Sequence, residues 1–181
     1  VYNLMRSKKR KIITGVAYTT DKTHKVFFDK EREVLQQKLE AELPNVDIGI
    51  SSFNRDETKA VVVAYSDKSR GAYYYYDVEK DNLVKLADLS PWLNEEDMAS
   101  MVPITYKSRD GLTIHGYLTL PVGSSGENLP VVVNPHGGPW ARDYWGFNPE
   151  VQYLANQGYA VFQMNFRGST GYGREFWELS F

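Results

Sequence analysis

Cysteine is absent from the 181 residues, and that excludes disulfide scaffolds, thiolate-bound zinc and a cysteine nucleophile. Histidine is scarce as well. His24, His115 and His136 stand singly, without the close spacing that holds a metal, so neither a metal nor another cofactor is expected. Long apolar runs are missing too: none approaches the ~20 residues that cross a bilayer. No charged-then-apolar leader opens the chain, and no membrane partner is expected. Nor does one charge dominate. The 21 Lys and Arg face 23 Asp and Glu, a net charge of -2, which gives no positive field to recruit nucleic acid. A chain without Cys suits a reducing, cytoplasmic compartment, with the periplasm as the alternative.

What remains is the balance of a folded globular chain, 42% hydrophobic and 24% charged. Its length suits one ordinary domain or one and a half small ones. Thirteen residues are Tyr, a bias toward pleated sheet. Residues 12–19 and 25–28 read as strands about the polar turn Thr20-Asp21-Lys22-Thr23. Then the period changes. Asp29 can cap a helix over 30–43, with Glu31 and Glu33 in its first turn and Leu35, Leu39 and Leu43 recurring until Pro44. Strand-like runs follow at 46–51, 59–65, 72–78 and 83–87, separated by Asn54-Arg55-Asp56, Ser69-Arg70-Gly71 and Asp81-Asn82. Four short antiparallel strands are the size of one propeller blade, whose companions would lie upstream of Val1. A small meander packed on its own helix is the rival reading.

The grammar alters beyond Ser90-Pro91-Trp92-Leu93, so the boundary falls between 88 and 101, dividing the chain into residues 1–94 and 95–181. Residues 102–107 and 112–120 form a hairpin about Asp110-Gly111, and a polar loop fills 121–130. Val131-Val132-Val133 is the continuous apolar run of a strand covered on both faces. Asn148 and Pro149 open a helix with Val151, Leu154 and Ala155 on one face and Gly158 past its end. Residues 160–164 are the next buried strand. Strand, loop, helix and strand make a right-handed crossover, hence an α/β sheet. The glycine-rich run Arg167 to Gly173 follows, and a last helix starts over 175–181.

Chemistry concentrates where the valine run enters His136-Gly137-Gly138. A strand ending in this way is where esterases and lipases place one arm of an oxyanion hole. A tetrahedral acyl intermediate carries a full charge on one oxygen, and a fixed backbone N–H about 3 Å away stabilises it. Gly138 is the candidate donor, Gly137 makes the turn, and His136, Pro139 and Arg142 support the loop. The plainer reading is a tight connection rich in Gly and Pro. The segments Tyr117-Leu118-Thr119-Leu120-Pro121, Asn134-Pro135-His136-Gly137-Gly138-Pro139 and Asn165-Phe166-Arg167-Gly168-Ser169-Thr170-Gly171-Tyr172-Gly173 resemble the prolyl oligopeptidase family of serine peptidases. Its acylaminoacyl-peptidase and dipeptidyl-peptidase-like branch is the nearest. The resemblance covers roughly the last 70 residues. It implies the C-terminal part of a β-propeller followed by the N-terminal part of an α/β-hydrolase domain. It also implies a Ser-Asp-His triad acting on short peptides, and it assigns the oxyanion glycine to Gly138.

One departure limits the reading. An α/β-hydrolase carries Ser, Asp and His in that order after the oxyanion loop, with Ser in a G-x-S-x-G elbow. Here the elbow is missing, and after His136 come no further His, one Asp (Asp143) and only Ser169 and Ser180. The chain therefore reads as a piece of a larger enzyme, cut before its nucleophile and inactive alone. An esterase or lipase, or an interaction module with a degenerate hydrolase half, are the alternatives. An incomplete α/β sheet leaves an open edge and apolar surface, so self-association is expected. Other signals are set aside. The basic cluster at Arg6 and Lys8 to Lys11 reads as a solvated edge, and Glu95, Glu96 and Asp97 as a solvated linker. Tyr73 to Tyr76 read as sheet packing, and the run Gly168 to Gly173 matches no phosphate-binding pattern. Arg142 and Asp143 are expected to pair and hold the loop, with Arg142 facing substrate as the alternative.

Overall fold

The computed structural model describes residues 3–138 and 140–180, and the chain divides into two compact units. The first comprises residues 1–19 and 23–93; the second comprises Thr20–Lys22 and residues 94–181.

In the first unit, strands β1 (Asn3–Ser7), β2 (Ile12–Thr19) and β3 (Thr23–Phe27) form an antiparallel sheet in chain order. Helix α1 (Lys30–Glu42) follows, and then β4 (Asp47–Phe53), β5 (Lys59–Tyr65), β6 (Ala72–Asp77) and β7 (Asn82–Asp88) form a four-stranded antiparallel meander. Asp29 caps α1 by accepting from the Arg32 N–H. The buried stripe of α1 is Arg32, Leu35, Gln36 and Leu39, the i, i+3, i+4, i+7 spacing of a core-facing helix. Leu43, expected to extend that stripe, is instead the C-terminal cap. Two polar residues belong to the stripe because each has a partner. Gln36 Nε2 donates to the Ile48 carbonyl at 3.2 Å, and Arg32 Nη2 meets Glu57 Oε2 at 2.8 Å. Leu35 and Leu39 pack on Ile48, Ala60, Val62, Ala64 and Tyr76. The alternation Ala60, Val62, Ala64 gives β5 one fully apolar face. Across the pair, Tyr76 stands opposite Ala60 and Tyr74 opposite Val62, which puts these two tyrosines on the core side of the sheet.

The basic cluster forms the β1–β2 turn. Arg10 donates to both oxygens of Asp29 at 2.9 and 2.7 Å, and Lys9 Nζ donates to the Asp56 carbonyl at 3.1 Å.

In the second unit, a 3-10 turn at Glu95–Asp97 leads into β8 (Met101–Lys107), β9 (Thr113–Thr119), β10 (Val131–Val133), α2 (Pro149–Asn156), β11 (Ala160–Asn165) and α3 (Arg174–Glu178). The sheet order is β10-β11-β9-β8; β10 and β11 are parallel with α2 in their connection, and the other pairs are antiparallel. Asn148 Oδ1 caps α2 by accepting from the Glu150 and Val151 N–H groups. Val151 and Ala155 seal its inner face, while Gln152 exchanges two 2.8 Å hydrogen bonds with the Ala99 backbone and fixes the chain entering β8.

The run Val131–Val133 shows the open edge and apolar surface expected above rather than cover on both faces: among the described residues β10 pairs with β11 alone, and Val131 and Val133 are 59% and 53% exposed. An apolar run reports a preference for burial but not a place in the sheet, and the sheet order puts this strand at an edge.

Candidate active site

Two loops converge at one end of the β10–β11 pair. The first runs from Asn134 to Asn148, between β10 and α2; the second runs from Phe166 to Gly173, after β11. The Thr170 N–H donates to the Ala141 carbonyl at 2.9 Å and ties the two together. Asn134 prolongs the strand pairing by donating to the Phe162 carbonyl at 2.8 Å.

His136, Gly137 and Gly138 follow. The His136 ring lies flat against Phe166, centroids 4.4 Å apart at 16°. Its Nδ1 is 2.8 Å from the Gly137 carbonyl oxygen and its Nε2 is 2.8 Å from Ser169 Oγ. Gly138 adopts φ +143, where a Cβ would lie 2.8 Å from the Trp140 nitrogen, so only glycine fits without strain. Gly138 is exposed, and its N–H meets no acceptor among the described residues. Pro139, expected to help hold the loop, lies outside the described residues.

Arg142 sits beneath the loop, buried to 7% exposure. Its Nη2 donates to the Thr20 carbonyl at 2.7 Å, to Tyr172 Oη at 2.9 Å and to Tyr117 Oη at 3.3 Å. Its Nε donates to the Asp143 backbone carbonyl at 3.0 Å, and its guanidinium stacks 4.5 Å from the Tyr172 ring centroid. Gly171 makes room for it, since a Cβ there would lie 2.8 Å from Nη1. The expected pairing with Asp143 is therefore corrected: Arg142 reaches the backbone oxygen of that residue, not its carboxylate. Asp143 instead accepts at Oδ1 from Gln163 Nε2 at 2.9 Å, and burial pushes its carboxyl above the ordinary range. Asn165 holds the Asp143 backbone from both sides, accepting from its N–H at 2.7 Å and donating to its carbonyl at 3.2 Å; it also donates to Tyr172 Oη at 2.7 Å. Burial also lowers His115, helped by the nearby Arg142 charge, and this ring stacks on Tyr172 at 4.7 Å.

Ser169 Oγ and His136 Nε2 have the spacing of a nucleophile and its base, but not the surroundings. Ser169 is fully buried, so no substrate reaches it, and the other His136 nitrogen meets a backbone carbonyl rather than a carboxylate. The pair braces two loops.

Sequence reasoning placed Gly138, Gly137, His136 and Arg142 at one locus, but it missed Ser169, Asn165, Gln163, Tyr117 and Tyr172. The β9–β11 register, Gln163 opposite Tyr117 and Asn165 opposite His115, puts several of them on one face of the sheet. Tyr117, Asn165, Ser169 and Tyr172 all stand in the segments that carry the family resemblance, and that was the only signal available.

The prolyl oligopeptidase family model matches residues 145–179. Dipeptidyl aminopeptidase BIII of Pseudoxanthomonas mexicana is 40% identical over 148 residues, covering 77% of this chain and 21% of that protein. Dipeptidyl peptidase family member 6 of Caenorhabditis elegans is 31% identical over 153 residues, 72% of this chain and 20% of that protein. Among solved structures, a puromycin hydrolase superposes with a TM-score of 0.55 at 29% identity, over 67% of this chain and 19% of that one. The acylaminoacyl peptidase of Pyrococcus horikoshii does so with a TM-score of 0.53 at 28% identity, over 71% and 20%. The chain thus spans about a fifth of the length of the curated relatives it matches.

Proposed function

Because this chain belongs to the prolyl oligopeptidase family, whose members among its relatives are serine peptidases, we propose that it forms part of a serine peptidase acting on short peptides. In this reading residues 95–181 are the N-terminal portion of an α/β-hydrolase domain, and Gly138 supplies one arm of its oxyanion hole. The observation that carries the proposal is the exposed Gly138 N–H, free of acceptors among the described residues. It stands on the loop between the third strand of its unit and the following helix, where α/β-hydrolases hold an oxyanion donor.

The chemistry then divides. Gly138 would donate to the oxygen of the tetrahedral intermediate as charge develops there, an interaction whose loss costs roughly 3–4 kcal/mol of barrier. The Ser that attacks, the His that carries its proton and the Asp that orients that His would come from chain after residue 181. No G-x-S-x-G elbow occurs in the sequence, and Ser169 is sealed against its own loop. Residues 1–94 would be the last part of a propeller, with the β4–β7 meander as a four-stranded blade.

The test is direct. The purified 181-residue chain should leave dipeptidyl and acyl-aminoacyl chromogenic substrates intact, whereas the chain extended through an elbow Ser, an Asp and a His should hydrolyse them and lose activity to a serine-directed phosphonate. Phosphonate-sensitive hydrolysis by the 181 residues alone overturns the division of labour. Self-association through the open β10 edge belongs to the same reading, and sedimentation of a compact monomer at high concentration would contradict it.

A further inference from the structure

We propose that Asn165 is a positioning residue: its buried side-chain amide takes the place of a strand partner for Asp143 and so fixes the turn that carries Gly138. The catalytic consequence rests on the oxyanion reading of Gly138; the clamp does not.

The orientation of the amide is set by backbone groups, whose roles are not interchangeable. The Asp143 N–H can only donate, so the atom 2.7 Å away is the Asn165 oxygen, Oδ1. The Asp143 carbonyl can only accept, so the atom 3.2 Å from it is Nδ2. Nδ2 also donates to Tyr172 Oη at 2.7 Å. One side chain thus exchanges both bonds with one residue, as the two members of a hydrogen-bonded antiparallel pair do. Asn165 is fully buried, so water does not compete for these bonds. Arg142 Nε shares the Asp143 carbonyl, whereas among the described residues Asn165 alone accepts from the Asp143 N–H.

The clamp reaches Gly138 through the shape of the loop. Between β10 and α2 the described residues form no strand or helix, so their course depends on where they are tied. Upstream, the Asn134 N–H is tied to the Phe162 carbonyl of β11. Downstream, Asp143 is tied to Asn165, the last residue of the same strand. The two glycines therefore lie between two anchors on β11. A Cβ built on Gly138 would lie 2.8 Å from the Trp140 nitrogen and 3.2 Å from that of Ala141, so the chain folds back at Gly138 onto the stretch that leads into Asp143. The Thr170 N–H holds the Ala141 carbonyl at 2.9 Å, and Asn165 holds the residue two further on. With both in place the Gly138 N–H keeps one direction. Without the Asp143 bonds, this stretch retains the Thr170 bond and the long Arg142 side chain as its ties, and the glycine turn moves with it.

Hydrogen exchange in the wild-type 181-residue chain is the first check. The Asn165 side-chain NH2 should exchange on the order of 100-fold more slowly than that of the exposed Asn128. Equal rates overturn the proposal without any variant. Asn165→Leu keeps the branched shape and removes the hydrogen bonds, so a packing role would survive it. It should release the Asp143 amide to exchange and displace the Gly138 amide signal in the 1H–15N spectrum, with the amides of Val161–Gln163 in place as evidence that the strand is formed. An unmoved Gly138 signal also overturns the proposal. Tyr172→Phe keeps both Asp143 bonds and loses the third, and should leave the Gly138 signal near its wild-type position. A displacement as large as that in N165L would mean that the tyrosine hydroxyl, not the clamp, holds the loop. In the peptidase carrying these residues together with its triad, N165L should lower kcat on the order of ten-fold with KM little changed, short of the 10²–10³ seen when an oxyanion donor is removed outright. If the Gly138 amide moves but kcat does not, the clamp stands and the oxyanion reading falls.

Discussion

Each unit buries an arginine, and the two are treated differently. In the first, Arg32 meets Glu57 at 2.8 Å and covers the Phe53 ring at 3.8 Å, while Glu57 also accepts from Ser7 Oγ at 2.8 Å and from the Lys9 N–H at 3.3 Å. Charge is matched by charge. In the second, Arg142 meets only neutral oxygens, and its Nη1 has no partner among the described residues. Among the described residues, Asp143 Oδ2, Gln163 Oε1, Thr119 Oγ1 and Ser124 Oγ in that unit are also buried without partners, against Ser90 Oγ in the first. The contrast is between an arginine matched by a carboxylate and one held by neutral oxygens.

The comparison predicts different failure modes. In the first unit stability resides in apolar contact, so Leu39→Ala, at a fully buried position, should cost roughly 3–5 kcal/mol. Denaturant unfolding checks this, and a loss below about 1 kcal/mol would mean the α1 face is not the core. In the second unit the corresponding change is polar. Arg142→Met keeps length but removes three hydrogen bonds, those to the Thr20 carbonyl and to the Tyr117 and Tyr172 hydroxyls, an expected cost of roughly 2–3 kcal/mol. If R142M is neutral, the arginine is a replaceable filler and the contrast between the units fails.

How much of this was legible follows the same division. The α1 stripe, the four-strand meander and the capped α2 helix are local patterns, and period, caps and turn residues announce them. Strand β1 was not read, because its turn to β2 is built from Lys8, Lys9, Arg10 and Lys11, with Lys11 at φ +56 and no Gly, Asn or Pro to mark it. Which strand stands at the edge of the second sheet is not written in the valine run, because sheet order is a long-range property. In the candidate site, His136 and Gly138 stand two residues apart and are found together. Ser169 lies 33 residues from His136 and Tyr117 lies 25 from Arg142, and no periodicity links them.

A smaller effect sharpens the contrast at the loop itself. Gly138→Ala places a Cβ at φ +143 and 2.8 Å from a backbone nitrogen, which should cost on the order of 1–2 kcal/mol in strain. The neighbouring Gly137 has open space and no such φ, so Gly137→Ala should unfold near the wild-type midpoint. Equal losses in the two variants would show that the loop is tight throughout and that Gly138 holds no special conformation.

The smallest effect is a change of slope with pH. Burial raises the Asp143 carboxyl in the folded chain. A carboxyl raised above its unfolded value contributes stability that is fully present below the unfolded pKa and is lost as pH rises through the folded one. Wild type should therefore weaken as pH climbs out of the ordinary carboxylate range. Burial outweighs the Gln163 Nε2–H bond to Oδ1 and the nearby Arg142 charge, which act the other way. Asp143→Asn carries no charge at any pH. Its stability relative to wild type should rise between about pH 4 and pH 7 and then level off, measured by urea midpoints across that range. A flat difference would place the cost of this site elsewhere than in the buried charge. A falling one would mean that the Arg142 guanidinium outweighs burial, leaving the second arginine as well matched as the first.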